Sequence, residues 1–183
     1  EAQELFRKYV NTIVNRRNTY TSVYYRDDPA IMSWELANEP RPGSNDGGRK
    51  YYGFFKQWII DTAKYIHDLD QNHLVTTGSE GSWGTLNDDE LFMDSHSTSH
   101  IDYLTFHLWL KNWNWFDVKQ PESTFEEALR KAFVYIDEHI EMAGKLNKPI
   151  VLEEFGVERD NADYRMQSGT GYRDRFYHLF FER

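Results

Sequence analysis

The stretch Ala30-Ile31-Met32-Ser33-Trp34-Glu35-Leu36-Ala37-Asn38-Glu39-Pro40 decides the fold. It follows the break Asp27-Asp28-Pro29, runs largely apolar to Ala37, and ends in an amide and a carboxylate where Pro40 turns the backbone away. That pattern predicts a buried strand with polar groups at its carboxyl end. Three later segments repeat it. His73 to Thr77 leads into Ser79-Glu80, Ile101 to Trp109 carries His107 near its end, and Pro149-Ile150-Val151-Leu152-Glu153-Glu154-Phe155 ends in paired carboxylates. Helical spacing fills the intervals. Leu5, Phe6, Tyr9, Val10, Ile13 and Val14 form one stripe, and Tyr51, Phe54, Phe55, Trp58, Ile59, Thr62, Tyr65, Ile66 and Leu69 a second. Leu129, Ala132, Phe133, Ile136 and Ile140 follow a Ser123/Glu126 capping-box pattern, with Gly144 as the expected stop. Tyr172, Phe176, Tyr177 and Phe180 close the series, and a long polar connection is expected from Gly78 to Ser99. Helices alternating with buried strands predict an α/β fold with a parallel sheet covered by helices. Polar residues at four successive strand ends favour a (β/α)8 TIM barrel over an open sheet. A complete barrel usually needs about 250 residues, so this chain is read as a partial one.

Composition narrows the function. The 183 residues suit one domain, and no repeat or linker divides residues 1–183. The formal net charge of −9 argues against a nucleic-acid partner or an anionic membrane surface. The absence of cysteine excludes a disulfide framework, a thiolate nucleophile and a cysteine zinc site. No apolar run approaches the roughly 20 residues of a membrane span, and Glu1-Ala2-Gln3-Glu4 does not begin a signal peptide. Aromatic residues make up 16% of the chain, which suits sugar faces packing on flat rings and equally suits an aromatic core.

Carboxylates at the ends of two parallel strands, Glu39 and one of Glu153 and Glu154, meet the requirement of glycoside hydrolysis for one protonated acid and one ionised nucleophile or base. Strand alternation turns one glutamate of the Glu153-Glu154 pair inward and the other toward the helical layer. Rival chemistries lack their parts. There is no Gly-x-Ser-x-Gly elbow and no glycine-rich phosphate loop. His96, His100 and His107 do not follow the His-Glu-x-x-His pattern, and Asp88, Asp89, Glu90 and Asp94 lack EF-hand spacing and read as a solvated loop and helix start.

Trp34-Glu35-Leu36-Ala37-Asn38-Glu39-Pro40-Arg41 resembles the acid/base motif of glycoside hydrolase family 5, and Lys148-Pro149-Ile150-Val151-Leu152-Glu153-Glu154-Phe155-Gly156 resembles its nucleophile motif. His73 to Gly81, Asp102 to Trp109, and Asn112-Trp113-Asn114-Trp115 are similar to the β-mannanase branch. The resemblance implies retention through a double displacement, with Glu39 as acid/base and Glu154 as nucleophile, the carboxyl groups about 5 to 5.5 Å apart. It implies that Asn38 binds the 2-hydroxyl and that His107 orients groups around the catalytic pair, against the alternative of a buried structural histidine. Where much of the family has a tyrosine that hydrogen-bonds the nucleophile, this chain has Trp109, which can donate but cannot accept or ionise. Arg41 and Glu80 match positions that contact sugars on the leaving-group side, or form a rim ion pair. Trp83, Trp113 and Trp115 are stacking platforms or core.

The same matching places the strands as the fourth to the seventh of eight. Residues 1–183 are then an incomplete catalytic domain whose partners are a β-mannan or mannooligosaccharide and the missing barrel segments of its own parent chain. Unpaired edges and an uncovered inner face predict low solubility, oligomerisation or dependence on those segments. The expected activity is cleavage of β-1,4-mannosidic bonds. An exo-β-mannosidase, a β-1,4-glucanase and an inactive sugar-binding fragment remain alternatives. No organic cofactor is implied and no metal is required for this chemistry. Secretion is expected from the polymeric substrate.

Overall fold

The computed structural model describes residues 1–182, the side chain of Asn45 excepted. The main elements are α1 (Ala2–Val14), β1 (Ser33–Glu35), α2 (Asn45–Leu69), β2 (Leu74–Thr76), α3 (Asp89–His96), β3 (Leu104–Trp109), α4 (Pro121–Leu146), β4 (Ile150–Gly156) and α5 (Gly171–Phe181). The α/β alternation is therefore as expected, with differences at element ends. Helix α2 begins in a polar turn, Asn45-Asp46-Gly47-Gly48, that carries no apolar signal. Helix α4 starts at Pro121, whose fixed φ suits a first helical position. Ser123 lies inside it and donates to the Gln120 carbonyl at 3.1 Å instead of capping. The helix runs past Gly144 and stops at Asn147, which takes φ 52°. Lys148 N donates to Ala143 O and Asn147 N to Gly144 O, both at 3.1 Å, the bond pair of a Schellman stop.

The expected polar connection after β2 is largely buried from Thr77 to Thr85 and contains α3. Asp88 caps α3 by accepting from Leu91 N at 3.1 Å. Among the described residues no helix is long and apolar enough to cross a membrane.

Strands β1 and β2 pair in parallel, with Trp34 opposite Val75. Leu36 N to Thr76 O, at 3.0 Å, extends the pairing toward Glu39. Strands β3 and β4 form a second ladder. The single sheet expected from the sequence is thus two ladders, and side chains join the backbone between β2 and β3. Asp102 exchanges bonds with Val75 N through Oδ2 at 2.7 Å and with Val75 O through its own N at 2.8 Å. Thr76 Oγ1 donates to Tyr103 O at 2.8 Å, and Ser79 N donates to Thr105 Oγ1 at 2.7 Å. Threonine and aspartate side chains supply bonds that a regular ladder would take from the main chain.

The chain divides into two compact units, one of residues 1–106 and 142–151, the other of 107–141 and 152 onward. In the first, Val10 and Val14 of α1, Ile59, Ala63 and Ile66 of α2, Val75 of β2 and Leu36 just after β1 belong to the main core. Phe92, Leu104, Met142 and Ala143 form a smaller one. Not all of the stripes are covered: Leu5, Tyr9 and Phe54 are exposed, as are Met32 just before β1 and Leu74 in β2. Lys148 donates from one ammonium to the carbonyls of His96 and Thr98 at 2.6 Å and of Ile101 at 2.7 Å, holding the end of α3 and its following turn. In the second unit, aromatic side chains dominate. Phe125 meets Phe116 and Tyr172 edge-on, and Phe155 stacks on Phe180 with centroids 4.8 Å apart.

Candidate active site

Glu39 follows β1 in the first unit at φ 47°, a left-handed conformation uncommon for a residue with a side chain. Its N–H donates to Gly78 O at 2.8 Å. Gly78 itself has φ 71°, and a Cβ there would lie 2.2 Å from the Ala37 carbonyl oxygen. Only glycine lets the turn after β2 come this close to the turn after β1, and that approach holds Glu39 in place. Local strain of this kind is maintained where the surroundings over-determine it, and it clusters at functional sites.

Arg41, two residues on, forms an ion pair with Glu80, which is 3% exposed. The same Arg41 nitrogen lies 3.8 Å from Glu39 Oε2. A guanidinium therefore bridges a buried carboxylate and the candidate acid, with the planar donors such a pairing needs. Asn38 is exposed beside them. Arg41 and the exposed Trp83 line one open cavity of about 520 Å³, with Ser44, Arg49 and Asn87 on its wall. Arg49 and Asn87 drew no attention in the sequence because neither belongs to a motif.

In the second unit, His107 is buried on β3, and Trp109 two residues later lies on the same strand face. Trp109 Nε1 donates to Glu154 Oε2 at 3.0 Å. Indole thus donates to Glu154 at the position where the resemblance implies a tyrosine. Gly156 makes room for it, since a Cβ there would lie 2.9 Å from Trp109 Cζ3. His107 Nδ1 is 3.6 Å from Glu154 Oε2, while Nε2 is 3.8 Å from Glu153 Oε2. The expectation that Glu153 turns to the helical layer is corrected here: both neighbouring carboxylates reach one imidazole. Alternation fixes where Cβ points, but a glutamate has three further torsions with which to curl back.

Trp113, a stacking platform or a core residue on the sequence, is 6% exposed and packs edge-on against Trp115 and Tyr135, with centroids 4.9 and 5.0 Å away. Core packing accounts for it, because the turn after β3 folds back onto α4. Farther along, Glu158 accepts from Lys111 Nζ at 2.5 Å and from the Tyr164 hydroxyl. Burial alone would raise the Glu158 carboxyl, but these two donors outweigh it and hold it below the ordinary glutamate range.

The remaining sequence candidates are structural. His96 has both ring nitrogens engaged, Nδ1 with Phe92 O and Nε2 with Thr77 Oγ1, each at 2.8 Å. Asp94 receives Lys56 Nζ at 2.5 Å and the Tyr52 hydroxyl at 3.0 Å.

Comparison with known proteins identifies the family of the chain. The family model described as GH family 5 beta-mannosidase-like matches residues 1–183. Mannan endo-1,4-beta-mannosidase 5 of Arabidopsis thaliana is 31% identical, over 97% of this chain and 41% of its own length. Mannan endo-1,4-beta-mannosidase 4 of Solanum lycopersicum is also 31% identical, over 96% of this chain and 44% of its own. Among solved structures, the glycoside hydrolase family 5 mannosidase of Rhizomucor miehei superposes with a TM-score of 0.86 at 32% identity, covering 99% of this chain and 42% of that one. The endo-beta-1,4-mannanase of Thermotoga petrophila superposes at 0.72 and 28% identity, covering 98% and 38%. The chain thus spans about two fifths of the length of these relatives. Across the whole of its own length, it belongs to glycoside hydrolase family 5 as a β-mannosidase-like member.

Proposed function

We infer that the protein containing this chain is a retaining glycoside hydrolase that cleaves β-1,4-mannosidic bonds within mannans. The observation that carries the reading is the Glu154 carboxylate, aimed by the Trp109 N–H at 3.0 Å beside the buried His107. In the first step Glu154 attacks the anomeric carbon while Glu39 protonates the departing glycosidic oxygen. In the second, Glu39 takes a proton from water, whose oxygen attacks the anomeric carbon. The bond to Glu154 breaks with its electron pair returning to the carboxylate. Trp109 donates to the oxygen that regains charge in this step, a stabilisation aimed at the point where charge develops. Asn38 holds the 2-hydroxyl. Arg41 and Glu80 contact the sugar on the leaving-group side, where the exposed ring of Trp83 offers a stacking face.

Substrate class is supported by the relatives, which are named as mannan endo-1,4-beta-mannosidases, and by the Rhizomucor miehei mannosidase variant crystallised with mannosyl-fructose. Strands β1 to β4 are proposed as the fourth to seventh of a TIM barrel. The exposed Met32, Leu74 and Val151 are then faces that the rest of the barrel covers. Secretion follows as part of the proposal from the extracellular location of mannan.

The test is hydrolysis of mannohexaose by the full-length protein and by its Glu154→Gln variant. Internal cleavage that disappears in the variant is expected. Release of mannose alone points to an exo enzyme, and no hydrolysis overturns mannan specificity and directs the assay to cellohexaose.

A further inference from the structure

Glu153 places Oε2 in the interior of the second unit, buried and without a hydrogen-bond partner among the described residues. A carboxylate oxygen in that position is costly, so its retention calls for an explanation. The donor facing it is His107 Nε2 at 3.8 Å, an ion-pair separation too long for a direct hydrogen bond. On the other side of the same ring, Nδ1 faces Glu154 Oε2 at 3.6 Å. Two consecutive residues of β4 therefore bring carboxylate oxygens to opposite nitrogens of one imidazole, against the alternation of their strand. The proton on one ring nitrogen is set by what the other nitrogen faces. A carboxylate at Nε2 orients the ring, and together with Glu154 it brackets the imidazole so that Nδ1 is directed at Glu154.

The geometry points to Glu153 as a positioning residue that acts through His107: it fixes the ring and its protons so that a donor is presented to Glu154 when that carboxylate regains its charge. This rests on the assignment of Glu154 as nucleophile above. Trp109 Nε1–H and His107 Nδ1–H then converge on one oxygen, Glu154 Oε2, the first by direct hydrogen bond and the second across a slightly longer gap. Glu153 touches neither sugar nor water in this scheme.

The test is a double-mutant cycle in the full-length protein on mannohexaose, with Glu153→Gln, His107→Asn and the pair together. Glutamine keeps the volume of the side chain and removes its charge. The expected result is a fall in kcat of roughly ten-fold for Glu153→Gln, mid-range for coupling between residues in contact, with KM within about two-fold and an unchanged melting temperature. The paired variant is expected to be no slower than His107→Asn alone. Wild-type kcat in Glu153→Gln, or losses that multiply in the pair, overturns the proposal.

A second readout needs no substrate. In ¹⁵N-histidine-labelled protein the two His107 ring resonances, identified by their loss in His107→Asn, are expected to shift in Glu153→Gln at fixed pH, and unshifted resonances overturn the proposal. A protein that spares mannohexaose yet shows the shift loses the mannan reading and keeps this role for Glu153. One that cleaves mannohexaose with unshifted resonances does the reverse.

Discussion

Replacing Trp109 with phenylalanine removes one atom group that matters, the indole N–H donated to Glu154 Oε2 at 3.0 Å, and leaves a ring over Gly156. A hydrogen bond to a charged group contributes about 1.5–3 kcal/mol net when buried. The Glu154 side chain is 38% exposed, so solvent competes for the same oxygen and the range is discounted to about 1–2 kcal/mol. The sign depends on the step. When the glycosyl–enzyme bond breaks, Glu154 departs as a carboxylate, and the N–H stabilises the charge that forms. Loss of the donor therefore slows deglycosylation, by about 5- to 30-fold at 1.36 kcal/mol per factor of ten. An activated aryl β-mannoside makes glycosylation fast and leaves deglycosylation limiting. The assay is stopped-flow release of the aryl group by the full-length protein. A pre-steady-state burst followed by a steady rate reduced 5- to 30-fold is expected in Trp109→Phe. An undiminished steady rate, with the burst intact, refutes the assigned role.

Two further outcomes concern stability. His73 donates from Nδ1 to Asp70 Oδ2 at 2.7 Å and from Nε2 to Asp28 O at 3.0 Å, two acceptors that require protons on both nitrogens. Burial alone would lower the His73 value, but the bonds and charge of Asp70 and Asp28 outweigh it and raise it above the ordinary imidazole range. Burial likewise would raise Asp70, but donors from Trp34, Asn72 and His73 outweigh it and lower it. The His73 contribution is therefore complete below about pH 6.5 and lost as pH rises through its raised folded value; that of Asp70 is present above about pH 3.9 and lost as pH falls through its lowered one. Thermal melts should show the wild type losing stability relative to His73→Gln as pH rises above about 6.5, and parallel curves would contradict the assignment. Lys148→Met strips the donor from the carbonyls of His96, Thr98 and Ile101 and should cost about 2–3 kcal/mol in chemical denaturation, whereas a loss under about 0.5 kcal/mol would show that water replaces the ammonium freely.

Local signals on the chain carried the order of elements. An apolar stripe at helical spacing, or an apolar run closed by Asn38-Glu39-Pro40 or by Glu153-Glu154-Phe155, is a property of neighbouring residues, so β1, β4, α1, α2 and α5 were legible without a fold. Residue types at strand ends likewise made Glu39, His107, Trp109 and the Glu153-Glu154 pair candidates, and the family resemblance singled out Glu154. Helix α3 was legible only as a helix start at Asp88 to Asp94, because eight residues with a weak stripe give no extent until Asp88 caps them. The true ends of α4 were hidden because its stop is a left-handed asparagine three residues past the glycine that looked like one.

The sequence alone therefore determined which chemistry is available: acids at the ends of apolar strands, no thiol, an acidic surface and a tryptophan in a tyrosine's place. Only the tertiary structure decided what each candidate does. It buried Trp113 against Tyr135, engaged both nitrogens of His96, and brought Glu153 to the ring that Glu154 also faces. The reason is physical: periodicity fixes the direction of a Cα–Cβ bond from neighbours along the chain, whereas the end of a long side chain is placed by contacts from residues tens of positions away.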